Sequence, residues 1–319
     1  MTLFNSISPN NHEEEAISFT QEGPKQNDLT KLKHIHAWLS NTVTESKDKS
    51  YRHRLLKENL EQRNNVIDEL KSYVYNAHED VRQHLRKLAG ISLDPLDEPD
   101  ESDSFDPAKG YPETLNIETL KGYFGEIFAA IVAEKFPPFG KNWQVPAFLF
   151  RFHPEAFQRL ESSRQKGENA DKKIPGRTGD DNLAFEWDEN KGQIVAILYC
   201  EAKCTSTHSS SLITEAHRKV SESEIVDIQQ LIEILMEKSD TTSKQWVVAL
   251  RRVRFSKTPT YKRYDLVNYV YGELPERKLT WIPTDNPHKE YKASRRLEAV
   301  EIHLHEVDLM VKEVYGKRG

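Results

Sequence analysis

A chain of 319 residues carries 45 Lys and Arg against 51 Asp and Glu, a formal charge of -6, so no whole-protein field draws it to nucleic acid and any such contact depends on a local patch. Its composition, 37% hydrophobic and 30% charged, includes no uncharged apolar run of about 18 residues, and the first residues lack a basic start followed by an apolar core. Membrane-spanning and secretory expectations drop out, and the two cysteines, Cys200 and Cys204, supply neither a disulfide framework nor a four-cysteine zinc site, which fits a reducing cytoplasm.

In chain order, residues 1–28 are polar, contain Pro9 and Pro24 and the acidic triplet Glu13, Glu14 and Glu15, and are read as a tail without sustained apolar period. Residues 29–92 place Leu32, Ile35, Leu39, Leu56, Leu60, Ile67, Leu70, Val74, Val81, Leu85 and Leu88 at helical separations, which predicts two or three amphipathic helices forming an accessory segment. Residues 93–112 hold seven acids between Asp94 and Asp106 and four prolines, the composition of an extended, solvated linker.

Residues 113–319 mix periods. A helix is predicted over 118–135, an apolar strand over 147–152, a polar loop through Gly176, and a hairpin from LAFEW and QIVAILYCEAK about the DENKG turn with Gly192. A Ser/Thr-rich loop over 205–214, a helix over 215–238, a core strand WVVAL and a closing α/β segment follow. The fold class is therefore α/β, a mixed sheet flanked by helices and preceded by a helical segment.

Chemistry concentrates at one end of the hairpin. Asp180 and Asp181 precede its first strand, and Glu201 and Lys203 finish its second. Residues two apart on a strand share a face, so Glu201 and Lys203 project together while Cys200, Ala202 and Cys204 project oppositely. A hairpin sets the start of its first strand beside the end of its second, which brings Asp181 to Glu201. Paired carboxylates are hard oxygen ligands suited to Mg²⁺ or Mn²⁺, and a neighbouring lysine suits orientation of water and stabilisation of phosphate charge. The seven-residue apolar run IVAILYC ahead of Glu201 reads as buried on both faces, where an ordinary exposed ion pair is not expected.

Asp181, the hairpin and Glu201-Ala202-Lys203 resemble the core of PD-(D/E)xK nucleases, in which an acid and a Glu-x-Lys element on adjacent strands hold a divalent metal and cleave phosphodiesters. The resemblance covers about residues 118–250. It implies a restriction-endonuclease-like sheet, DNA as substrate, and a helix glutamate matched here by Glu126 in LKGYFGEIFAAIVAEKF, beside Gly122, Ala129, Ala130 and Ala133. The proline of the family name is absent: the sequence is Gly179-Asp180-Asp181, and either aspartate is a candidate ligand, Asp181 being preferred. The layout is also similar to nuclease subunits of bacterial antiphage systems of the Hachiman HamA kind, which implies a helicase or sensor partner, here docked through the N-terminal helices. Gln229 or Gln230 matches a glutamine that some members use near the metal.

From Thr241 to Tyr264 there are seven basic residues and no acid. Arg251, Arg252, Arg254, Lys257, Lys262 and Arg263, interleaved with Phe255, Tyr261 and Tyr264, form a candidate nucleic-acid surface. Glu301, His303 and His305 alternate in LEAVEIHLHEV, where alternation predicts a buried Val300, Ile302 and Leu304 and an exposed polar set. His153, in Phe152-His153-Pro154, is a weaker strand-end candidate. The competing reading is a catalytically silent member of the same fold that binds DNA or regulates a partner.

Overall fold

The computed structural model describes residues 32–88, 106–150, 182–224, 226–256, 258, 261–277 and 279–317. The 1–28 tail, Phe152 to Pro154, the loop through Gly176, Asp180, Asp181 and Lys257 lie outside them. The strands are β1 (Leu39–Glu45), β2 (Tyr51–Glu58), β3 (Trp143–Gln144), β4 (Asn182–Asp188), β5 (Gln193–Thr205), β6 (Lys262–Tyr271) and β7 (Arg296–His303). The helices are α1 (Ile35–Trp38), α2 (Arg63–Ala77), α3 (Glu79–Leu88), α4 (Ile117–Lys135), α5 (Ser210–Glu222), α6 (Gln229–Met236), α7 (Thr241–Phe255) and α8 (Val307–Val314). Among the described residues no helix is long and apolar enough to cross a membrane.

The chain is a mixed α/β protein built on one seven-stranded sheet in the order β1-β2-β7-β6-β5-β4-β3. β2, β7, β6 and β5 run parallel, and β1, β4 and β3 complete the sheet as antiparallel neighbours. Parallel strands lie between helical layers and bury both faces. One face carries Leu198, Cys200, Ala202, Leu266, Val270, Val300 and Ile302 against α4 and α8. The other carries Ile197, Tyr199, Val267, Tyr269, Leu297 and Ala299 against α5, α6 and α7.

α4 forms where predicted. The Asn116 side chain accepts from Thr119 N at 2.8 Å as its N-cap, and the helix is buried from Leu120 to Ala133 except at Gly122, which is exposed. It meets β5 at Gly125, where a Cβ atom would sit 3.3 Å from Cys204 Cβ and 3.5 Å from the Lys203 carbonyl carbon. Two buried asparagines fix this contact: Asn268 of β6 donates to Gly125 O at 3.2 Å and Asn182 of β4 to Glu126 O at 3.4 Å.

The β4–β5 hairpin also matches the reading. Asp188 accepts from the backbone of Asn190 and Lys191 at 3.0 and 3.2 Å, and Gly192 takes the positive φ of 59° that closes the turn.

Six expectations are corrected. Residues 39–58 form the β1–β2 hairpin rather than helix: β-branched Thr42, Val43 and Thr44 favour extension, and Asp48 closes the turn by accepting from Ser46 and Ser50. This hairpin joins the sheet through β7, and Trp38, Leu56, Val66 and Leu70 enter the same core as α4, so the segment is not only helical. The described end of the acidic stretch is folded: Asp106 accepts from Arg86 at 2.9 Å, and Ala108 and Tyr111 are buried. The strand foreseen near 147 is replaced by β3 at Trp143, with residues 145–149 irregular. The 205–214 loop becomes helical from Ser210, and the 215–238 helix is two, α5 and α6, broken after an extended Ser223. WVVAL is helical, capped by Asp240 accepting from Ser243 N at 2.8 Å. A short apolar run cannot by itself distinguish strand from helix.

Candidate functional site

β5 presents Glu201 and Lys203 on one face, as the alternation predicted, and α5 covers that face. Glu201 is fully buried. Lys203 Nζ lies 3.1 Å from Glu201 Oε1, and Lys219 Nζ, from α5, lies 2.6 Å from Glu201 Oε2. Lys203 also reaches Glu215 Oε1 at 2.9 Å. Two carboxylates and two ammonium groups thus alternate across the strand–helix junction. Glu215 and Lys219 are four apart on α5, so one helix face carries both.

Lys219 and Glu215 were not singled out from the sequence. The signal available was their i, i+4 spacing in EAHRK, directly after the strand that bears Glu201 and Lys203.

Other buried acids of the sheet are satisfied differently. Glu298 accepts from Arg54 Nε at 2.7 Å and Phe139 N at 3.0 Å. Asp265 accepts from Arg263, Arg295 and Tyr291 at 2.7 to 2.9 Å. Glu301 accepts from the backbone of Trp281 and Ile282 at 2.9 and 2.7 Å and is 3.0 Å from His53 Nε2. These partners are backbone groups, rigid guanidinium forks or buried rings. Glu201 is instead paired with lysines, flexible point charges whose side chains are 19% and 29% exposed at Lys203 and Lys219.

Glu126 is buried on α4, which covers the opposite face of the sheet, one residue from the Gly125 contact. Asp181 lies outside the described residues. Its covalent neighbour Asn182 pairs with Cys200, next to Glu201. Gln229 lies at the start of α6, where its amide donates to Glu233 at 2.6 Å.

Carboxylate oxygen is the donor type that Mg²⁺ and Mn²⁺ take, and the positive charge already held 2.6 Å from Glu201 Oε2 shows that this buried acid accommodates a cation. Glu201 and Glu215 are of that donor type, but both oxygens of Glu201 face ammonium groups and Glu215 is paired with Lys203. Among the described residues, which do not include Asp181, no group of three or more His, Cys, Asp or Glu side chains is disposed to hold a metal. The cysteines do not take part: Cys200 is buried, and burial pushes the Cys204 thiol far above its ordinary value.

The basic segment is relocated. Arg251, Arg252 and Arg254 are exposed near the end of α7, and the charge of Arg252 and Arg254 in its last turn complements the helix C-terminus. Lys262 is exposed at the start of β6, but Arg263 is bonded to Asp265 at 2.9 Å and stacked 4.5 Å from the Tyr199 ring. Lys262 pairs with Ala196, five positions before Glu201 on β5. At about 3.3 Å per residue that is roughly 16 Å along the strand. The polar set of β7 is not exposed either: Glu301 and His303 are buried because this strand is central and covered on both faces.

α5 also carries His217, fully buried, with Nδ1 2.8 Å from Ile213 O and its ring 5.0 Å from His288. Burial, reinforced by His288, lowers its pKa from 6.5 to about 4. The fold prefers the neutral ring, so stability is full above pH 6.5 and falls as pH drops toward 4. This one group accounts for about 2 kcal/mol between pH 7 and 4.5. Urea unfolding at the two pH values should show that loss in wild type and a smaller one in His217→Gln. Equal losses would contradict it.

No protein-family model matches the chain, and no curated protein matches it.

Proposed function

We propose that the protein is a divalent-metal-dependent nuclease with a restriction-endonuclease-like fold, cleaving DNA phosphodiesters at Glu201 and Lys203. The observation that carries this reading is the fully buried Glu201, held at 3.1 Å by Lys203 on the same strand face, on a hairpin whose first strand begins one residue after Asp181. Asp181 and Glu201 would hold Mg²⁺ or Mn²⁺; Glu126, on the helix that covers the opposite face of the sheet, does not join Glu201 on its face. The bound ion supplies Lewis-acid polarisation of the phosphate.

Lys203 contributes what its position allows. Its ammonium is fixed by Glu201 and Glu215 yet remains partly open to solvent, so it can hold an attacking water and offset charge developing on phosphate oxygens. The exposed basic end of α7, with Lys262, grips the DNA backbone away from the scissile bond. The role proposed is that of an effector in bacterial antiphage defence, acting with a helicase or sensor. The exposed Tyr75 and Leu88 on α2 and α3 are the apolar positions open to such a partner.

Incubating the full chain with supercoiled plasmid tests the reading. Nicking or linearisation in Mn²⁺ that disappears in EDTA is the outcome expected; intact plasmid in both Mn²⁺ and Mg²⁺ contradicts it. One observation favours a second reading, a catalytically silent DNA-binding or regulatory subunit: both oxygens of Glu201 already face ammonium groups. DNA bound but left intact, with no divalent ion taken up, is its signature.

Reversing Arg251, Arg252 and Arg254 to Glu should weaken DNA binding at least tenfold and reduce the slope of log affinity against log salt by about 3 or more, since each lost phosphate contact contributes roughly 0.9. Fluorescence anisotropy over a salt series checks it, and an unchanged slope would remove α7 from the interface.

A further inference from the structure

The two edges of the sheet differ. β3 ends it with only Trp143 and Gln144, whereas β1 ends it with the seven residues Leu39–Glu45, all exposed except Leu39. Among the described residues no strand pairs with the outer side of β1. The inner ladder fixes what that outer side offers. Ser46 N donates to Tyr51 O at 2.9 Å and Asn59 N to Trp38 O at 2.7 Å, so the even-numbered residues between them turn their backbone groups to β2. Asn41, Val43 and Glu45 therefore present N–H and C=O groups outward, since successive residues of an antiparallel strand alternate.

Edges are ordinarily blunted by lysine, proline, a bulge or shortness. β1, LSNTVTE, has no lysine and no proline, and it pairs with β2 without a register break. Its one charged side chain, Glu45, is drawn back toward Arg52 and Arg296, at 3.8 and 3.7 Å. Among the described strands only Val43 exposes a large apolar side chain, and it lies in the middle of the outward-facing set.

The strand is also complementary to itself. Laid antiparallel on a second copy about a two-fold axis at Val43, Val43 meets Val43, Asn41 meets Glu45, and Thr42 meets Thr44. Every outward N–H and C=O of Asn41, Val43 and Glu45 then has a backbone partner. The opposed side chains are β-branched or polar, and no like charges face each other. A two-fold contact of this kind closes on itself.

We propose that β1 is a homodimerisation edge, joining two copies of this chain antiparallel about Val43 into one continuous sheet. β5 is the fifth strand from that edge, so the two Glu201–Lys203 clusters lie on the same side of the joined sheet, roughly 40 Å apart at about 4.8 Å per strand. A contact made by one strand from each copy buries little surface, so the dimer is weak and depends on concentration. It does not depend on the nuclease reading.

Sedimentation velocity of the full-length protein from about 1 to 300 µM, the range in which a small interface associates, tests this. Wild type is expected to pass from monomer to dimer. Val43→Lys sets like charges opposite each other at the axis and should weaken association about tenfold or more. Val43→Pro removes an outward N–H while leaving the β1–β2 ladder intact, and should do the same with an unchanged circular dichroism spectrum. Register is read separately. Val43→Cys places two thiols on residues about 5.5 Å apart between Cα atoms, within disulfide reach, and should cross-link under mild oxidation, whereas wild type, with only Cys200 and Cys204, should not. A monomer throughout the range overturns the proposal, as does a dimer that both Val43→Lys and Val43→Pro leave at wild-type strength. Either result leaves the plasmid assay of the nuclease reading untouched.

Discussion

Gly272→Ala is expected to destabilise the protein by about 3 kcal/mol, the upper range for forcing extra volume into a packed site. Gly272 follows β6, and its N–H donates to Thr205 O at 3.2 Å. A Cβ there would lie 2.5 Å from the Ser206 carbonyl oxygen and 3.4 Å from its carbon, and backbone cannot rotate aside as a side chain can. Moving that peptide disturbs the exit of β5, where Ser206 Oγ donates to Asp308 at 2.5 Å and Lys121 reaches both. The same strand end lies three residues beyond Lys203, so the substitution strains the site's support as well. Urea denaturation of wild type and variant measures the difference, and a loss below about 1 kcal/mol would show that the two strand ends separate more easily than their contacts imply.

Lys203→Met should lower the cleavage rate by about a thousandfold, the joint scale of a lost proton-transfer group and a lost charge stabiliser. Methionine retains the apolar stem along β5 and removes only the ammonium. DNA affinity should change little, because the exposed arginines lie at the other end of the parallel strands, toward Lys262 rather than Lys203. Single-turnover rates and anisotropy titrations separate the two quantities. A parallel fall in both would mean that Lys203 binds DNA as one more basic residue.

Local signals determined how much was readable in advance. α4 announced itself by the apolar residues Leu120, Phe124, Ile127, Phe128 and Ile131 at helical spacing, and the β4–β5 hairpin by a turn rich in Asp, Asn and Gly between β-forming stretches. The face shared by Glu201 and Lys203 followed from strand alternation alone. Elements whose identity depends on distant partners were misread. β1 and β2 are polar enough to pass for a helix surface, and β2 is specified by pairing with β7, more than two hundred residues away in the chain. β7 looked half-exposed because its acids are polar, yet Glu298 and Glu301 are buried with partners contributed by residues 52–54, 139 and 281–282. Lys219 was legible only in part: its i, i+4 spacing from Glu215 shows that the two share a helix face, but not that this face packs over Glu201.

The basic segment shows the opposite error. Its composition was legible, but its geometry was not, since a helix rather than a strand projects Arg251, Arg252 and Arg254 while Arg263 turns inward to Asp265. Charge counts cannot distinguish a residue that neutralises a phosphate from one that neutralises a buried carboxylate.

The most direct measurement is the Mn²⁺-dependent cleavage rate of Glu201→Gln beside wild type, with both shown to be folded by their melting curves. Loss of the charge that holds the cation predicts a fall of at least about a thousandfold. Cleavage at the wild-type rate by the folded variant would contradict the assignment of Glu201 as the acid on which the chemistry depends.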